Sequence, residues 1–480
     1  MRLSTPRLAS LVWAVWLAAC SPAPHGDPPR ATTSPDIVLL VVDGLRVDRL
    51  DRLLEEAGAA PLASRLGRGA AEDSVRPHDG EGGILRFERA YAPSSLAEQS
   101  LAALFSGRLP THGGGIGWVE AQPASEATTL ATQLRSAGYR TGFVSLAAWA
   151  ARPGFTRGFD AVQTRVGSAM PSLAAFALRA FDEELSSNSG HKSENPRAPF
   201  LLVAHWPAPE LRGSATTEPA REAIAAAYDS ALATSLRDAS DLVAGLEERG
   251  ALARTAVVLT SGHGYELLEH GDLGSGFTLH EEVVRVPLLL RLPEGADATV
   301  ATPVSILRLV PTLIELAGAK LPADAGDAMA PLPGLGGTPA PTRREPAVIA
   351  ELVVRERAIV RAVVDGDDKY VQTLREAPLA DRPVITAGYE ELQAAMTSGA
   401  IPTPPLFGEP LREALLRLGG DGLEQELPLA AHRELLSRMR AALREYQRLC
   451  EATGFAPPAI PERMPIDPND VRDLEALGYM

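Results

Sequence analysis

The stretch Asp36-Ile-Val-Leu-Leu-Val-Val-Asp-Gly44 decides the fold of this chain. Its consecutive apolar residues, flanked by two aspartates, are typical of a strand that is buried on both faces of a parallel sheet. Similar apolar runs follow at residues 199–205, 255–260 and 286–292. Helical patterns lie between these runs, at 126–137 and 219–249. This alternation predicts an α/β layered fold with a mostly parallel central sheet.

Two of these runs end in residues that can carry chemistry. Asp43 follows the first run, and Ser261, Gly262 and His263 follow the run at 255–260. In open α/β sheets, ligands bind in the crevice beyond the carboxyl ends of the strands. We therefore expect Asp43 and His263 to line one cleft at that edge of the sheet.

The composition excludes several classes of protein. The 480 residues include 46 Lys and Arg against 61 Asp and Glu, which gives a net charge of −15, and only 5% of the residues are aromatic. Such a chain lacks the basic surface and the stacking platform that nucleic acid requires, so we expect no nucleic-acid partner. The two cysteines, Cys20 and Cys450, exclude a disulfide scaffold. Cys450 lies in a helical pattern, and we expect it to be a buried thiol.

The N-terminus resembles a bacterial lipoprotein signal. Leu8–Ala18 is a short apolar stretch, well below the roughly 20 residues that span a bilayer. It leads into Leu17-Ala-Ala-Cys20, which is similar to a lipobox, and a Pro-rich segment follows. We expect a lipoprotein signal peptide over 1–20 and a tether over 21–34. Acylated Cys20 would then anchor the protein to a lipid membrane of the cell envelope, at the outer membrane facing the periplasm or at the cell surface. The alternative is an ordinary signal peptide in which Cys20 falls by chance.

The composition also divides the rest of the chain. The Pro- and Gly-rich segment at 321–345 predicts a linker. It separates an α/β domain at 35–320 from a small C-terminal α+β subdomain at 346–480. The subdomain contains short β-like runs at 348–351, 359–364 and 369–374 and a helical pattern at 430–449.

Several blocks, taken in order, resemble the sulfatase family of the alkaline phosphatase superfamily. Asp36–Leu50 is similar to the family's opening strand, and Phe87–Pro110 to the segment that carries its nucleophile. Val257–Pro293 is similar to a block that contains a metal-binding Asp-His pair, and Leu474–Tyr479 to the end of many members. The resemblance covers roughly residues 35–480 and implies an alkaline phosphatase-like fold.

The resemblance also implies a chemistry that this chain departs from. Sulfatases use a formylglycine, and related enzymes a Thr or Ser, at a helix N-terminus beside one divalent cation that carboxylates hold. Here the nucleophile position is Ala97, and a metal-ligand aspartate position is Gly262. Asp43 and His263 are then vestigial metal ligands, with an ordinary turn or hydrogen-bond role as the alternative for each. We expect no cofactor, and the alternative is one Ca²⁺ or Mg²⁺ ion.

Further departures affect other polar positions of the family. Gly44 replaces the second residue of an Asp-Asp pair, Tyr265 replaces a glutamate, and Leu101 replaces the arginine of the nucleophile motif. Near Ala208 a family histidine is lost or displaced.

Three polar residues remain as candidates for the site. Ser95 is an alternative nucleophile, but Ser95-Leu-Ala-Glu98 also has the S-x-x-E pattern of a helix capping box, which is the interpretation we favour. The resemblance places His205 and His270 in the substrate cleft, and a packing or loop role is the alternative for His270.

These observations support two functions. The first is a catalytically impaired or inactive sulfatase-like lipoprotein, a pseudoenzyme whose cleft binds an ester, another anionic ligand or a partner protein. The second is an active metal-dependent sulfuric or phosphoric ester hydrolase with a rearranged site. Losing a nucleophile costs orders of magnitude in rate, and losing a metal carboxylate removes the cation that would compensate. The sequence therefore favours the first.

The lipid anchor can be tested directly. Cys20→Ala should release the protein from membranes or block its processing, because the acyl chains on Cys20 would supply the anchoring energy. Membrane fractionation with [³H]palmitate labelling measures this, and Cys450→Ala is the matched control. Unchanged membrane association and labelling of the Cys20→Ala variant would contradict the anchor.

Overall fold

A computed structural model of the chain describes residues 34–56, 62–67, 82–113, 123, 128–164, 172–185, 198–211, 217–295, 297–321, 330–335, 347–354, 358–376, 407–419 and 423–452. The predicted signal peptide, all but the last residue of the tether, most of the predicted linker and the closing block at 474–479 lie outside these residues. We describe Pro35 onward as one compact unit.

The bounds of the strands and helices are as follows. The strands are β1 Asp36–Val42, β2 Ile84–Tyr91, β3 Arg140–Ser145, β4 Ala161–Thr164, β5 Phe200–Trp206, β6 Thr255–Thr260, β7 Glu266–Leu267, β8 Leu273–Gly274, β9 Arg285–Arg291, β10 Ala298–Val300, β11 Val304–Ser305, β12 Val348–Val354, β13 Ala358–Asp365, β14 Asp368–Glu376, β15 Arg412–Leu418 and β16 Glu424–Leu427. The α-helices are α1 Val47–Glu56, α2 Ala97–Ser106, α3 Pro110–Gly113, α4 Leu130–Ser136, α5 Pro153–Thr156, α6 Leu173–Ala180, α7 Glu218–Glu248, α8 Glu281–Val284, α9 Leu309–Leu316 and α10 Arg433–Ala452. None of the helices in this part of the chain is long and apolar enough to cross a membrane.

The central sheet confirms the predicted α/β fold. Its strand order is β10-β2-β9-β6-β1-β5-β3-β4, with β11 added beside β2. β1 lies between β5 and β6 and is parallel to both, and only the pairs of β9 with β2 and with β6 are antiparallel. The predicted run at 286–292 therefore forms the strand that reverses direction, a feature that an apolar run does not reveal. The carboxyl ends of β1, β5 and β6 meet at one edge of the sheet.

The side chains of β1 alternate between two hydrophobic cores, which explains its continuous apolar sequence. Ile37, Leu39 and Val41 pack on one face together with α2 and α9. Val38, Leu40 and Val42 pack on the other face, where α1, α6 and α7 contribute leucines and aromatic residues. A strand buried on both faces requires apolar residues at successive positions.

One helix begins later than predicted. The pattern at 126–137 forms α4 only from Leu130, because Thr129 caps this helix: its hydroxyl accepts the N–H of Thr132, and the Thr132 side chain accepts the N–H of Thr129. This reciprocal pair fixes the first turn in place. At the other end the chain leaves the helix through Gly138, whose φ of +90° lies in the left-handed region.

The β-like runs beyond the predicted linker form a second, antiparallel sheet in the order β12-β13-β14-β15-β16. Helix α10 packs on it through Leu436, Met439 and Leu443. Cys450, near the end of this helix, is buried, as predicted from its position beside apolar residues.

A buried ionic network joins the second sheet to the first part of the chain. Glu351 of β12 accepts hydrogen bonds from the backbone N–H and the hydroxyl of Thr111, from Arg361 Nε at 2.5 Å and from the Tyr446 hydroxyl at 2.9 Å. The guanidinium of Arg361 also lies 4.3 Å from the ring centre of Phe407. Because the carboxylate and the guanidinium are both buried, each depends on the other for its compensating charge.

This dependence predicts a large effect of one substitution. Glu351→Ala should lower the free energy of unfolding by about 3–5 kcal/mol, since it leaves Arg361 buried without its carboxylate. Urea denaturation followed by circular dichroism measures the change. Glu426→Ala, on an exposed position of β16, is the matched control and should stay within about 0.5 kcal/mol of wild type. Equal effects of the two substitutions would contradict a joining role for the network.

Candidate active site

Asp43 is the hub of the site at the carboxyl edge of the central sheet. It follows β1 directly, and its backbone N–H donates to the carbonyl of Trp206 at the end of β5. Its side chain is 1% exposed. One carboxylate oxygen, Oδ2, lies 2.8 Å from His205 Nε2, and the other, Oδ1, accepts the backbone N–H of Gly262 at 2.9 Å. The carboxylate therefore bonds to both strands beside β1: to the end of β5 through His205, and to the residues just after β6 through Gly262.

His205 is held on both sides. Its Nδ1 lies 2.8 Å from the hydroxyl of Ser145, which also accepts the N–H of Ala147. The order Ser145–His205–Asp43 is that of a nucleophilic triad, but all three side chains are at most 1% exposed. A serine nucleophile must reach its substrate, so this chain of hydrogen bonds is structural. Both ring nitrogens of His205 bond within the protein, and its place in the substrate cleft stays a prediction.

The ring of His263 lies near the same carboxylate. Its Nε2 lies 4.0 Å from Asp43 Oδ2, and its Nδ1 donates to the carbonyl of Gly264 at 2.7 Å. Burial of the Asp43 carboxylate raises its pKa, but the charge and hydrogen bond of His205, aided by His263 and the Gly262 N–H, hold the pKa below its ordinary value. Asp43 is therefore an ionised group inside a closed set of donors.

The helix that carries the nucleophile position begins beside this centre. α2 starts at Ala97, and its N-cap residue, Leu96, contributes no side-chain hydrogen bond. The predicted capping box at Ser95 and Glu98 is wrong. Instead Ser94 accepts the N–H of Leu96 and donates to Gln99 Oε1. The side-chain oxygen of Ser95 is buried and has no hydrogen-bond partner among the described residues.

Glu98 is a site residue that the sequence pattern misassigned. Burial raises the pKa of its carboxyl group, and the negative charge of Asp43 raises it further, while Arg152 and His205 act in the opposite direction. The first turn of α2 thus shares the electrostatic environment of Asp43. Only the S-x-x-E spacing marked Glu98 in the sequence, and that spacing pointed to a cap.

Three of the departures from the family pattern lie against one another. Gly44 has a φ of +79°, which favours glycine. A Cβ placed there would lie 3.0 Å from the Ala208 methyl and 3.4 Å from the Tyr265 ring. The Tyr265 ring packs on Tyr228 at 5.1 Å, and the Tyr228 hydroxyl donates to the carbonyl of Gly44. Small and aromatic groups therefore fill a region where the resemblance implies polar side chains.

His270 lies in a different group of side chains. Its ring stacks on that of His280 at 3.7 Å. The neighbouring Glu269 forms an ion pair with Arg46. None of the described contacts joins His270 to Asp43, His205 or His263, so its expected place in the substrate cleft with them finds no support in the geometry.

The divalent cation that the resemblance implies does not fit the residues at Asp43. Ca²⁺ and Mg²⁺ prefer six or more oxygen ligands, whereas Ala97 and Gly262 offer no side-chain oxygen. Both oxygens of Asp43 already bond within the protein. A Cβ at Gly262 would lie 2.6 Å from Asp43 Oδ1, so an aspartate at this position would displace the carboxylate it would need as its co-ligand.

This crowding predicts the effect of a single methyl group. Gly262→Ala should destabilise the protein by about 1–3 kcal/mol, because the added Cβ forces Asp43 out of its hydrogen bonds. Thermal and urea unfolding measure the loss. Gly408→Ala is the matched control, because a Cβ there would meet, among the described residues, only Leu374 at 3.8 Å. If Gly262→Ala is no more destabilising than Gly408→Ala, the tight contact with Asp43 does not exist.

Comparisons with known proteins identify the family of this chain. The family model described as Sulfatase matches residues 35–319. A 68-residue stretch is 37% identical to an uncharacterized sulfatase, YidJ, of Escherichia coli, covering 14% of each chain. A 103-residue stretch, 21% of this chain, is 36% identical to an N-acetylglucosamine-6-O-sulfatase of Bacteroides thetaiotaomicron and spans 18% of that protein. The matched stretches therefore span less than a fifth of these relatives.

Solved structures extend the likeness over most of the chain. A 2-O GAG sulfatase is 17% identical with a TM-score of 0.57, covering 87% of this chain and 93% of that one. Ps i-CgsB, in complex with k-i-k-neocarrahexaose, is 17% identical with a TM-score of 0.54, covering 92% of this chain and 97% of that one. At this identity the likeness concerns the fold, which is alkaline phosphatase-like. Because the family model matches more than half of this chain, the chain belongs to the sulfatase family.

Proposed function

We propose that this chain is an exported, lipid-anchored sulfatase-family protein that binds a ligand or a partner through its cleft without hydrolysing sulfate esters. The observation that carries the proposal is the state of Asp43. Its two carboxylate oxygens are bonded to His205 and to the Gly262 N–H. A cation there would compete with these bonds for the carboxylate, and neither Ala97 nor Gly262 supplies a further side-chain oxygen to hold the cation on which the family's chemistry depends.

The nucleophile position supports the same conclusion. Ala97 has no atom that can attack an ester, and it stands at the first residue of α2. Removing a nucleophile lowers the rate by orders of magnitude, and the residual rate comes from positioning and electrostatics alone. The nucleophile and the metal act as a unit, so the remaining site residues cannot catalyse the reaction once both are lost.

The charge at the start of α2 also opposes a sulfate substrate. A helix N-terminus attracts anions because its N–H groups and dipole present positive charge. Glu98 places a carboxyl group in this first turn, close enough to Asp43 for the two to repel. The anion-binding end of the helix thus carries an acidic group of its own, which an anionic ester would have to approach.

A second function, an ester hydrolase with a rearranged site, is favoured by one observation. The Ser95 hydroxyl is buried just before α2 and lacks a hydrogen-bond partner among the described residues. Buried polar groups are nearly always paired, and the exceptions concentrate at functional sites. Ser95 would then attack the ester in place of the residue at position 97, after a movement at the start of α2 that exposes its hydroxyl, which is fully buried here.

The two functions predict opposite outcomes in one assay. The purified protein should hydrolyse aryl sulfates and aryl phosphates at the background rate, with or without added Ca²⁺, Mg²⁺ or Mn²⁺. The reason is that the nucleophile position holds Ala97 and the set of metal ligands at Asp43 is incomplete. Ser95→Ala should leave that rate unchanged, as should the matched control Ser136→Ala at an exposed helix position.

The contrary result is equally specific. A metal-dependent turnover that survives Ser136→Ala and disappears in Ser95→Ala would establish the rearranged hydrolase and overturn the non-catalytic proposal.

A further inference from the structure

A second cluster of ionisable side chains lies where the loop after β6 meets the antiparallel sheet. His270 sits between β7 and β8, His280 immediately precedes α8, and Glu424 is the first residue of β16. One nitrogen of each histidine and one oxygen of Glu424 all lie within 4.8 Å of one another. Three separate segments of the chain therefore bring metal-binding atoms to one point, and none of the described contacts joins these three side chains to Asp43.

A fourth side chain completes the group. Glu282 Oε1 lies 3.1 Å from His270 Nε2. This oxygen is buried, and its contact with His270 is an ion pair that is not aligned as a hydrogen bond. Leaving a buried carboxylate oxygen without a hydrogen bond costs free energy comparable to the loss of one. A cation bound between Glu282 and the histidines would satisfy it.

The surroundings favour a positive ion at this point. Glu282 and Glu424 face the two imidazoles, and Glu266 accepts the backbone N–H of His270. Glu281 and Glu424 share the ammonium group of Lys369, which is the positive charge in these described contacts. The acidic excess is characteristic of a site that receives a dication, because a bound metal is often the largest local charge and balances its ligands.

Neighbouring side chains hold the possible metal ligands in place. Lys369 Nζ donates to Glu424 Oε1 at 2.7 Å, which leaves Glu424 Oε2 facing His280 Nδ1 at 2.6 Å. Glu266 accepts the backbone N–H groups of His270 and Asp272 and so fixes the turn that carries His270. Such second interactions fix ligand direction in metal sites.

We propose that His270, His280, Glu282 and Glu424 bind one transition-metal dication of the Zn²⁺ class. Imidazole nitrogens combined with carboxylate oxygens suit Zn²⁺, whereas Ca²⁺ and Mg²⁺ prefer oxygen alone. In a tetrahedral zinc site, with bonds of about 2.0–2.2 Å, the ligand atoms lie about 3.4 Å apart. The donor atoms of His270, His280 and Glu424 lie within 4.8 Å of one another, and rotation of His270, whose side chain is 41% exposed, would bring them to that spacing.

The proposed role is structural. With four protein ligands the coordination shell is full, which is the form that structural zinc sites take. The ion would bind the β7–β8 turn and the start of α8 to β16, adding a link between the two sheets beside the Lys369 ion pairs. Metal binding to the folded state alone would stabilise the protein by mass action.

The test is a zinc titration of the metal-stripped, purified protein against a chromophoric chelator. We expect one equivalent of Zn²⁺ per chain and a rise in the midpoint of thermal unfolding. His270→Ala and Glu282→Gln should each weaken binding about tenfold or more. The half-buried His432 lies outside the cluster, so His432→Ala is the matched control and should bind as wild type does. Asp43→Asn should also retain the zinc, which separates this site from the Asp43 centre.

A second measurement keeps the test decisive if a variant fails to fold. Zn²⁺ should protect His270 and His280, and not His432, from modification by diethyl pyrocarbonate in the unaltered protein, as mapped by mass spectrometry. Substoichiometric or multiple weak zinc binding that His270→Ala leaves unchanged, or equal modification of all three histidines with and without zinc, would overturn the proposal.

Discussion

The buried carboxylate of Asp43 is the interaction on which the centre of this molecule depends. An ionised group in a protein interior is stable only when hydrogen bonds and opposite charge replace the water that it has lost. Asp43 obtains them from His205 on β5 and from the backbone beyond β6. Because β1 lies between these two strands, the carboxylate ties together the ends of the three strands at the middle of the sheet. His205 in turn fixes the end of β3 through Ser145.

This arrangement explains why the departures from the sulfatase pattern belong together. Glycine at position 262 leaves its N–H close enough to bond Asp43, and any side chain there would enter the space of the Asp43 carboxylate. Ala208 and Tyr265 fill the space around Gly44 with apolar contacts. The space around Gly44 is thus filled by apolar groups, and the protein neutralises the Asp43 carboxylate internally. A single family side chain restored here would clash with these neighbours, so rebuilding the family's site requires several substitutions at once.

The sequence predicted the features that depend on local pattern. Continuous apolar runs identified the buried strands, and the strand-end rule brought attention to Asp43 and His263, which the structure sets 4.0 Å apart. The sequence could not predict features that depend on which strands pair or which distant residues make contact. The reversal of β9 leaves no mark in its apolar sequence, and the cap that delays α4 is a reciprocal Thr pair, which differs from the usual acidic box. Ser95 and Glu98 show the same limit, since their spacing satisfies a capping rule that tertiary contacts override. Glu424 approaches His280 from 144 positions away, and no sequence spacing predicts such a contact.

The central claim is that the cation position of the family is replaced here by hydrogen bonds within the protein. The most direct test is a crystal structure from Mn²⁺-soaked crystals with an anomalous difference map at the manganese edge. The account predicts no anomalous peak within bonding distance of Asp43, with His205 and the Gly262 N–H still bonded to its carboxylate. A peak coordinated by Asp43, with the His205 ring turned away from it, would contradict the account.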